Sequence, residues 1–519
     1  MDLLYGFALP VETVSQLLDD WGQRPDQLDE NNNHYPWSSD ETDRKIDWCL
    51  KQTYRGKVGD KLKRIINPKN HLGIAKRFLK SQFFSNGTVT LAFHSNGWLN
   101  WDETKYVQLD ENDIRSALYE WLDDCFIIAK EKELSFCPNR SMVSSVLDAL
   151  KAVVSKSSQV QMPSWLIEGP DVIAFRNGLL NVERGDLLTH SPDWFSTNCL
   201  THDFDSKAKC PTWIEFLNDV FEEDQERIRA LQQWFGCNLI NDNSQQKMVM
   251  LIGPPRSGKG TTLAVLSALL GEFNVANVSL SEFGGRFGLE PLLGKMAGLI
   301  DEGHLGRFSN NSQIVERLKA ITGGSRMSVD RKNLPALSSV ALPTRFTMAV
   351  NEMPRLTDAS AAIRSRLIVI PYFKSYVGNE DFDLVDKLLA EIVGITNWAL
   401  AGLADLKATG RLINPEAGKA ILNEFEDLAS PISAFVNSCC EVGPSKNVLC
   451  DDMFIAWKKW TEDHGHQAGS KANFGKQLRS VVPRIERQRL SSGKRPYEFR
   501  GVGLDDNTNT CIDNIKLVT

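Results

Sequence analysis

The sequence predicts an α/β fold built on a parallel sheet, and three observations carry that prediction. Residues 248–252, Met-Val-Met-Leu-Ile, form a short, continuous apolar run, as a strand buried on both faces should. They are followed by Gly253-Pro254-Pro255-Arg256-Ser257-Gly258-Lys259-Gly260-Thr261, and then by residues 262–270, where Leu263, Leu266, Leu269 and Leu270 recur at helical spacing. Two further apolar runs of strand length, 295–300 and 345–350, end in the polar residues Asp301-Glu302 and Asn351. Strands alternating with helical patterns are what a parallel sheet requires.

The stretch 253–261 reads as a phosphate-binding loop. Amides at a helix N-terminus and the positive end of the helix dipole bind phosphate oxygens, with a lysine as a point charge. Lys259 fills that role. Pro254 and Pro255 have no N–H, so the cradle falls to Arg256, Ser257, Gly258, Lys259, Gly260, Thr261 and Thr262, where glycines permit close approach. Gly260 stands where a magnesium-binding Ser or Thr is usual, and Thr261 is the substitute ligand.

Composition sets the outer bounds. A net charge of −7, with 42% hydrophobic and 24% charged residues, fits a globular chain and confines any nucleic-acid contact to local patches. Ten cysteines include no C-x-x-C pair, which argues against a zinc ribbon. The first residues resemble no export signal and no apolar run reaches spanning length, so a cytoplasmic location without membrane attachment is expected.

In chain order, residues 1–65 show short amphipathic helical patterns around the polar stretch 26–34 and read as a helical connector. Residues 66–210 mix helices (74–82, 111–125, 143–153) with strands such as 89–94 and 172–174, joined by Asn-Gly turns at 86–87, 96–97 and 177–178. Trp98, Trp101 and Tyr106 there suit either a core or base stacking. Residues 211–244 carry Trp213, Phe216, Leu217, Leu231, Trp234 and Phe235 at helical spacing, a segment to pack on the core domain, 245–428.

Within that core, Asp301 is placed to hold the magnesium shell and Glu302 to activate water, the division of labour open to adjacent acids at a strand's end. Asn351 is placed to orient that water. Arg366, with Arg364 in reserve, is the candidate to stabilise charge in a neighbouring subunit's site. Between these strands, 322–332 is a glycine turn followed by Arg331 and Lys332, which suit either a hairpin gripping DNA phosphates or a solvated turn.

Residues 429–519 follow Ser430-Pro431 with two helices, 450–462 and 473–481, and strand-like pieces near 484–490 and 497–502. Residues 470–500 hold nine bases (Lys471, Lys476, Arg479, Arg484, Arg487, Arg489, Lys494, Arg495, Arg500) against Glu486 and Glu498. On an acidic chain this is a footprint for duplex or forked DNA, or a basic face for subunit contacts.

The order of Gly253–Thr261, Asp301-Glu302, the Gly-Gly…Val-Asp-Arg-Lys element, Asn351 and Ser365-Arg366-Leu367 resembles superfamily 3 helicases, in particular the P4-type phage and plasmid primase and poxvirus D5-like group. Residues 75–240, with Phe175-Arg176-Asn177-Gly178-Leu179-Leu180, resemble that group's D5 N-terminal region, and the last domain its winged helix. The resemblance implies an AAA+ P-loop core, a homo-hexameric ring, ATP and Mg2+, single-stranded DNA in the pore, and 3′ to 5′ unwinding for a phage, plasmid or other mobile element in a bacterial host. Residues 1–65 resemble the tail after a primase domain that is not seen here, so a separate primase or polymerase is an expected partner. Two rivals stay open: a different P-loop enzyme such as a nucleotide kinase, and a nucleotide-regulated origin-binding or scaffold protein that does not unwind.

Overall fold

The computed structural model describes residues 64–85, 87–129, 132–157, 160–301, 311–353, 361–429, 431–490, 496–506 and 508–509. The helical reading of 1–63 and Glu302 therefore lie outside the described residues. The chain divides into two compact units, one holding 64–102 with 106–160, the other 103–105 with 161 onward.

The first unit packs helices His71–Gln82, Glu111–Asp123 and Arg140–Val154 around Phe78, Leu118, Val146 and Leu150. Its antiparallel strands Leu91–His94 and Gly97–Trp101 turn through Ser95 and Asn96, both at positive φ (50° and 63°) as a two-residue hairpin demands. The turn thus falls one residue before the Asn-Gly pair, because Gly97 pairs with His94 in the ladder. Trp98, Trp101 and Tyr106 are 3%, 8% and 1% exposed. They are core residues, so no base can stack on them.

In the second unit, strands β1 (Met248–Ile252), β2 (Val275–Asn277), β3 (Ala297–Asp301), β4 (Arg345–Val350) and β5 (Leu367–Pro371) form one parallel sheet in the order β2-β3-β4-β1-β5. β1, β4 and β5 are buried along their whole length, which is why β1 and β5 are uninterruptedly apolar and β4 is interrupted only by Arg345 and Thr347. Alternate residues serve opposite faces. Val249, Leu251, Ile368 and Ile370 meet helices α1 (Pro211–Val220), α2 (Gln225–Asn238) and α3 (Lys259–Leu270), whereas Met248, Met250, Met348 and Val369 meet Leu292, Ile314 and Leu318. Residues 161–210, grouped with the preceding domain by sequence pattern, contribute Ile173, Phe175, Leu180 and Leu200 to the first of these cores.

His202 ties this segment to the helix Ile392–Thr409. Thr396 Oγ1 donates to Ile392 O at 2.9 Å, so His202 Nε2, 2.7 Å from the same oxygen, is the donor to it. Nδ1 is buried without a partner, and burial lowers the imidazole pKa to about 4. A base whose folded pKa lies below its unfolded value contributes stability above about pH 6.5, and that contribution is lost as pH falls towards 4. We expect acidification across this window to cost about 1–2 kcal/mol at this site, given its partial burial. Urea midpoints at pH 7.5 and 5 should converge in His202→Gln relative to the parent; an unchanged pH dependence would remove His202 as the cause.

The C-terminal part of this unit places helices Pro431–Cys439, α4 (Cys450–Asp463) and α5 (Lys471–Val481) against an antiparallel sheet of Cys440–Leu449, Tyr497–Leu504 and Glu486–Arg489, with Phe435, Met453, Trp457, Phe474 and Phe499 in its core. The strand Cys440–Leu449 was not expected from sequence. Its Gly443-Pro444-Ser445-Lys446 stretch reads as a turn, and the ladder indeed slips there, between Val442 and Asn447.

Candidate functional site

All five strands point their C-terminal ends to one edge, and β1 lies between β4 and β5. The chain leaves β1 towards β2 and leaves β4 towards β5, in opposite directions across the sheet. That reversal opens the crevice where ligands of open α/β sheets bind. Three candidates stand at this edge: the 253–261 loop after β1, Asp301 closing β3, and Asn351 after β4.

The loop is held by its neighbours before any ligand arrives. Gly253 N–H donates to Val350 O (3.3 Å), and Tyr372, Ser375 and Tyr376 run alongside: Tyr372 N–H to Ile252 O (2.7 Å), Ser375 Oγ to Pro255 O (2.9 Å) and Tyr376 N–H to Arg256 O (2.9 Å). A Cβ on Gly253 would lie 2.1 Å from Tyr372 O, so no larger residue fits. Gly258 caps α3 at φ 95°, a left-handed conformation suited to glycine. Arg256 adopts φ 57° and faces Glu380 at 3.8 Å.

Lys259 is 7% exposed and its ammonium donates to Gly253 O (2.8 Å), Pro254 O (2.7 Å) and Ser257 Oγ (3.1 Å). Burial lowers its pKa and the Asp301 charge opposes that shift, so the carboxylate closing β3 acts electrostatically on the loop lysine. No ion pair within 4.0 Å neutralises Lys259 among the described residues. A buried cation answered at close range by carbonyl and hydroxyl dipoles, with the Asp301 charge farther off, is a place suited to an anion.

Thr262 differs from expectation. Its N–H and hydroxyl both reach Gly258 O (2.9 and 3.0 Å), the hydroxyl also meets Tyr372 Oη (3.0 Å), and the residue is 1% exposed. It locks the helix start and keeps no donor for a ligand. Thr261 is half-buried and Gly260 exposed, with nothing within 4 Å of a Cβ placed on Gly260.

Arg364 and Arg366 are not brought to this edge. Arg366 precedes β5 and its carbonyl accepts from Met248 N–H, at the N-terminal end of β1. One strand length, roughly 17 Å for five residues, separates it from the loop. Arg364 bonds Asn423 Oδ1. Arg331 and Lys332 end the hairpin Arg326–Arg331/Leu334–Ala341, which Val329 anchors in the core; Arg331 Nε donates to Pro335 O (3.0 Å) and Lys332 N–H to Glu290 (3.0 Å).

The sequence reading missed the supports of the loop. Arg227, 4% exposed, joins Asp224, Phe221 O and Pro371 O, and fixes α2 to the end of β5. Asp219 takes the Tyr376 hydroxyl (2.6 Å) and pairs with Lys374, whose bond holds its carboxyl below the usual range. Beside them an open cavity of about 910 Å³ is lined by Glu215, Asp219, Glu222 and Glu223 as well as Lys209 and Lys374, a balance of charge that does not favour a second phosphate. The available signal was the polar-aromatic run Tyr372-Phe373-Lys374-Ser375-Tyr376 directly after an apolar strand.

In the C-terminal part, Arg487 and Arg489 lie 4.1 and 5.8 Å from the Tyr497 ring, Arg500 pairs with Glu498, and Lys471 pairs with Asp451. Lys494 and Arg495 lie outside the described residues.

Comparison with known proteins covers three separate stretches. Residues 78–222 match the family described as D5 N terminal like, 251–366 a family of unknown function, and 429–502 the family described as Poxvirus D5 protein-like. A protein named as a helicase in Invertebrate iridescent virus 3 is 25% identical over 230 residues, 41% of this chain and 24% of that one. An uncharacterized mitochondrial protein of Marchantia polymorpha is 24% identical over 122 residues, 21% of this chain and 68% of that one. The chain thus spans about a quarter of the viral relative's length. Among solved structures, two apo forms of the NrS-1 C terminal region, each 13% identical and each matched over its full length, cover 83% and 84% of this chain with TM-scores of 0.46 and 0.49.

Proposed function

We propose that the chain, which matches D5-like family models over 78–222 and 429–502, is an ATP-dependent replicative DNA helicase of a phage, plasmid or other mobile element. The observation that carries the proposal is the meeting of the Lys259 loop, Asp301 and Asn351 at the C-terminal edge of β1, β3 and β4. In this reading the sheet and its helices are an AAA+ P-loop core of superfamily 3, and the basic C-terminal part is a winged-helix-like DNA contact.

The residues present fit a nucleotide with magnesium. Lys259 and the amides of the loop would hold the phosphates, and Asp301 with Thr261 would complete the metal shell. Magnesium needs only one or two protein ligands beside phosphate oxygens, so the absence of a three-residue ligand cluster among the described residues is compatible with it. Bound ATP supplies the phosphoryl group that passes to water. Asn351 orients that water, Glu302 takes its proton, and Lys259 balances charge as it builds on the phosphoryl oxygens.

Arg366 works on a neighbour's nucleotide, which requires a ring and favours a homo-hexamer. The Arg331-Lys332 hairpin then grips one strand of single-stranded or forked DNA, driving movement 3′ to 5′, with a separate primase or polymerase as partner in the bacterial cytoplasm. ATP hydrolysis by the full chain should rise about tenfold or more on adding single-stranded DNA, because the strand completes the moving part of the cycle. Hydrolysis indifferent to DNA would favour a nucleotide-regulated scaffold.

A further inference from the structure

The described bases along 470–500 do not form one even patch. Lys471, Lys476, Arg479 and Arg487 converge on a cavity of about 300 Å³ floored by Cys450 and Phe474. Among the described residues no acidic side chain lines it; Asp451 touches it only indirectly, through its pair with Lys471. With Lys471 paired to Asp451, the charges of Lys476, Arg479 and Arg487 face the hollow together, an arrangement of like charges that a bound anion would relieve.

Two further features point the same way. The cavity lies where α4 and α5 begin, since Cys450 and Lys471 are their first residues, and the N-cap of α4 is Leu449, which supplies no capping side chain. The N-terminus of a helix of 14 residues therefore borders the hollow without a cap from its N-cap side chain, with Asp451 and Asp452 in its first turn. Arg487, stacked 4.1 Å over Tyr497, holds its planar fork at the rim, the geometry that suits paired phosphate oxygens. By contrast Arg500 is spent on Glu498, and Arg484 and Arg489 do not line the cavity.

We propose that this cavity is a phosphate-binding pocket that takes one phosphate group of DNA, so that the C-terminal part seizes a single phosphate instead of spreading charge along the strand. The proposal rests on the DNA-binding reading of this part for its natural ligand, while the phosphate chemistry stands on the pocket itself. The phosphate is either a terminal one or an internal one of the backbone.

The test uses the full chain and fluorescence anisotropy of a labelled oligonucleotide carrying either a 5′-phosphate or a 5′-hydroxyl. Lys476→Gln with Arg479→Gln removes two pocket charges; Arg484→Gln with Arg489→Gln removes the same charge beside it. All four side chains are exposed, and unchanged melting temperatures will confirm folding. The pocket pair should weaken DNA binding about tenfold or more and the other pair about threefold or less. Inorganic phosphate should displace DNA from the parent more than chloride does at equal ionic strength, and should lose that advantage on the pocket pair. A preference for the 5′-phosphate would assign the pocket to a strand end, and equal binding to the backbone. Equal losses in both pairs, or no advantage of phosphate over chloride, would overturn the pocket while leaving DNA binding intact. No loss in either pair would overturn both the pocket and the DNA reading of this part.

Discussion

Lys259→Ala should lower ATP hydrolysis about 10²- to 10³-fold or more, the range found when one preorganised donor to developing charge is removed. The side chain is buried and its ammonium is held by two loop carbonyls and Ser257, so it is positioned before nucleotide enters. Alanine leaves the loop without its only buried charge, yet the loop keeps its supports from Tyr372, Ser375 and Tyr376. The variant should therefore fold normally, and the loss should appear in turnover and nucleotide affinity together. Steady-state hydrolysis, nucleotide titration and a melting curve on one preparation separate these quantities. Hydrolysis at the parental rate would place the nucleotide elsewhere.

Arg366→Ala should depress hydrolysis about 10³-fold, the lower end of the effect of an arginine finger, while leaving nucleotide affinity within about threefold. The argument is one of distance: Arg366 stands at the N-terminal end of the strand pair whose C-terminal end carries the loop, so within one chain it cannot reach the phosphates. A catalytic role needs a second copy. If the proposed ring forms, mixing Arg366→Ala with Lys259→Ala should restore part of the activity, because some of its interfaces then pair an intact loop with an intact arginine. Two inactive variants that remain inactive when mixed would assign Arg366 to packing near Lys247, whose pKa is lowered by burial and, to a lesser extent, by the Arg366 charge.

The strand-loop-helix unit was legible because its signals are local: a buried strand reads as an apolar run, and a glycine-rich turn before a leucine-spaced segment marks a helix start. The ends of β3 and β4 were legible for the same reason. What holds the loop was not, because Tyr376 reaches it from a segment far away in sequence, backed by Asp219 on its hydroxyl and by Arg227 on Pro371, and no periodicity encodes such contacts. Thr262 shows the limit of a motif, since its place in the string suggested a ligand while its hydroxyl closes the helix start. Likewise, the Asn-Gly pair at 96–97 marked a hairpin whose register only the paired strands could fix.

Strand displacement is the measurement that tests the central claim most directly. The full chain and its Lys259→Ala variant should be given ATP and forked duplexes bearing a 3′ or a 5′ single-stranded tail. The account predicts unwinding of the 3′-tailed substrate that requires ATP and is lost in the variant. Hydrolysis without displacement on either tail would contradict it.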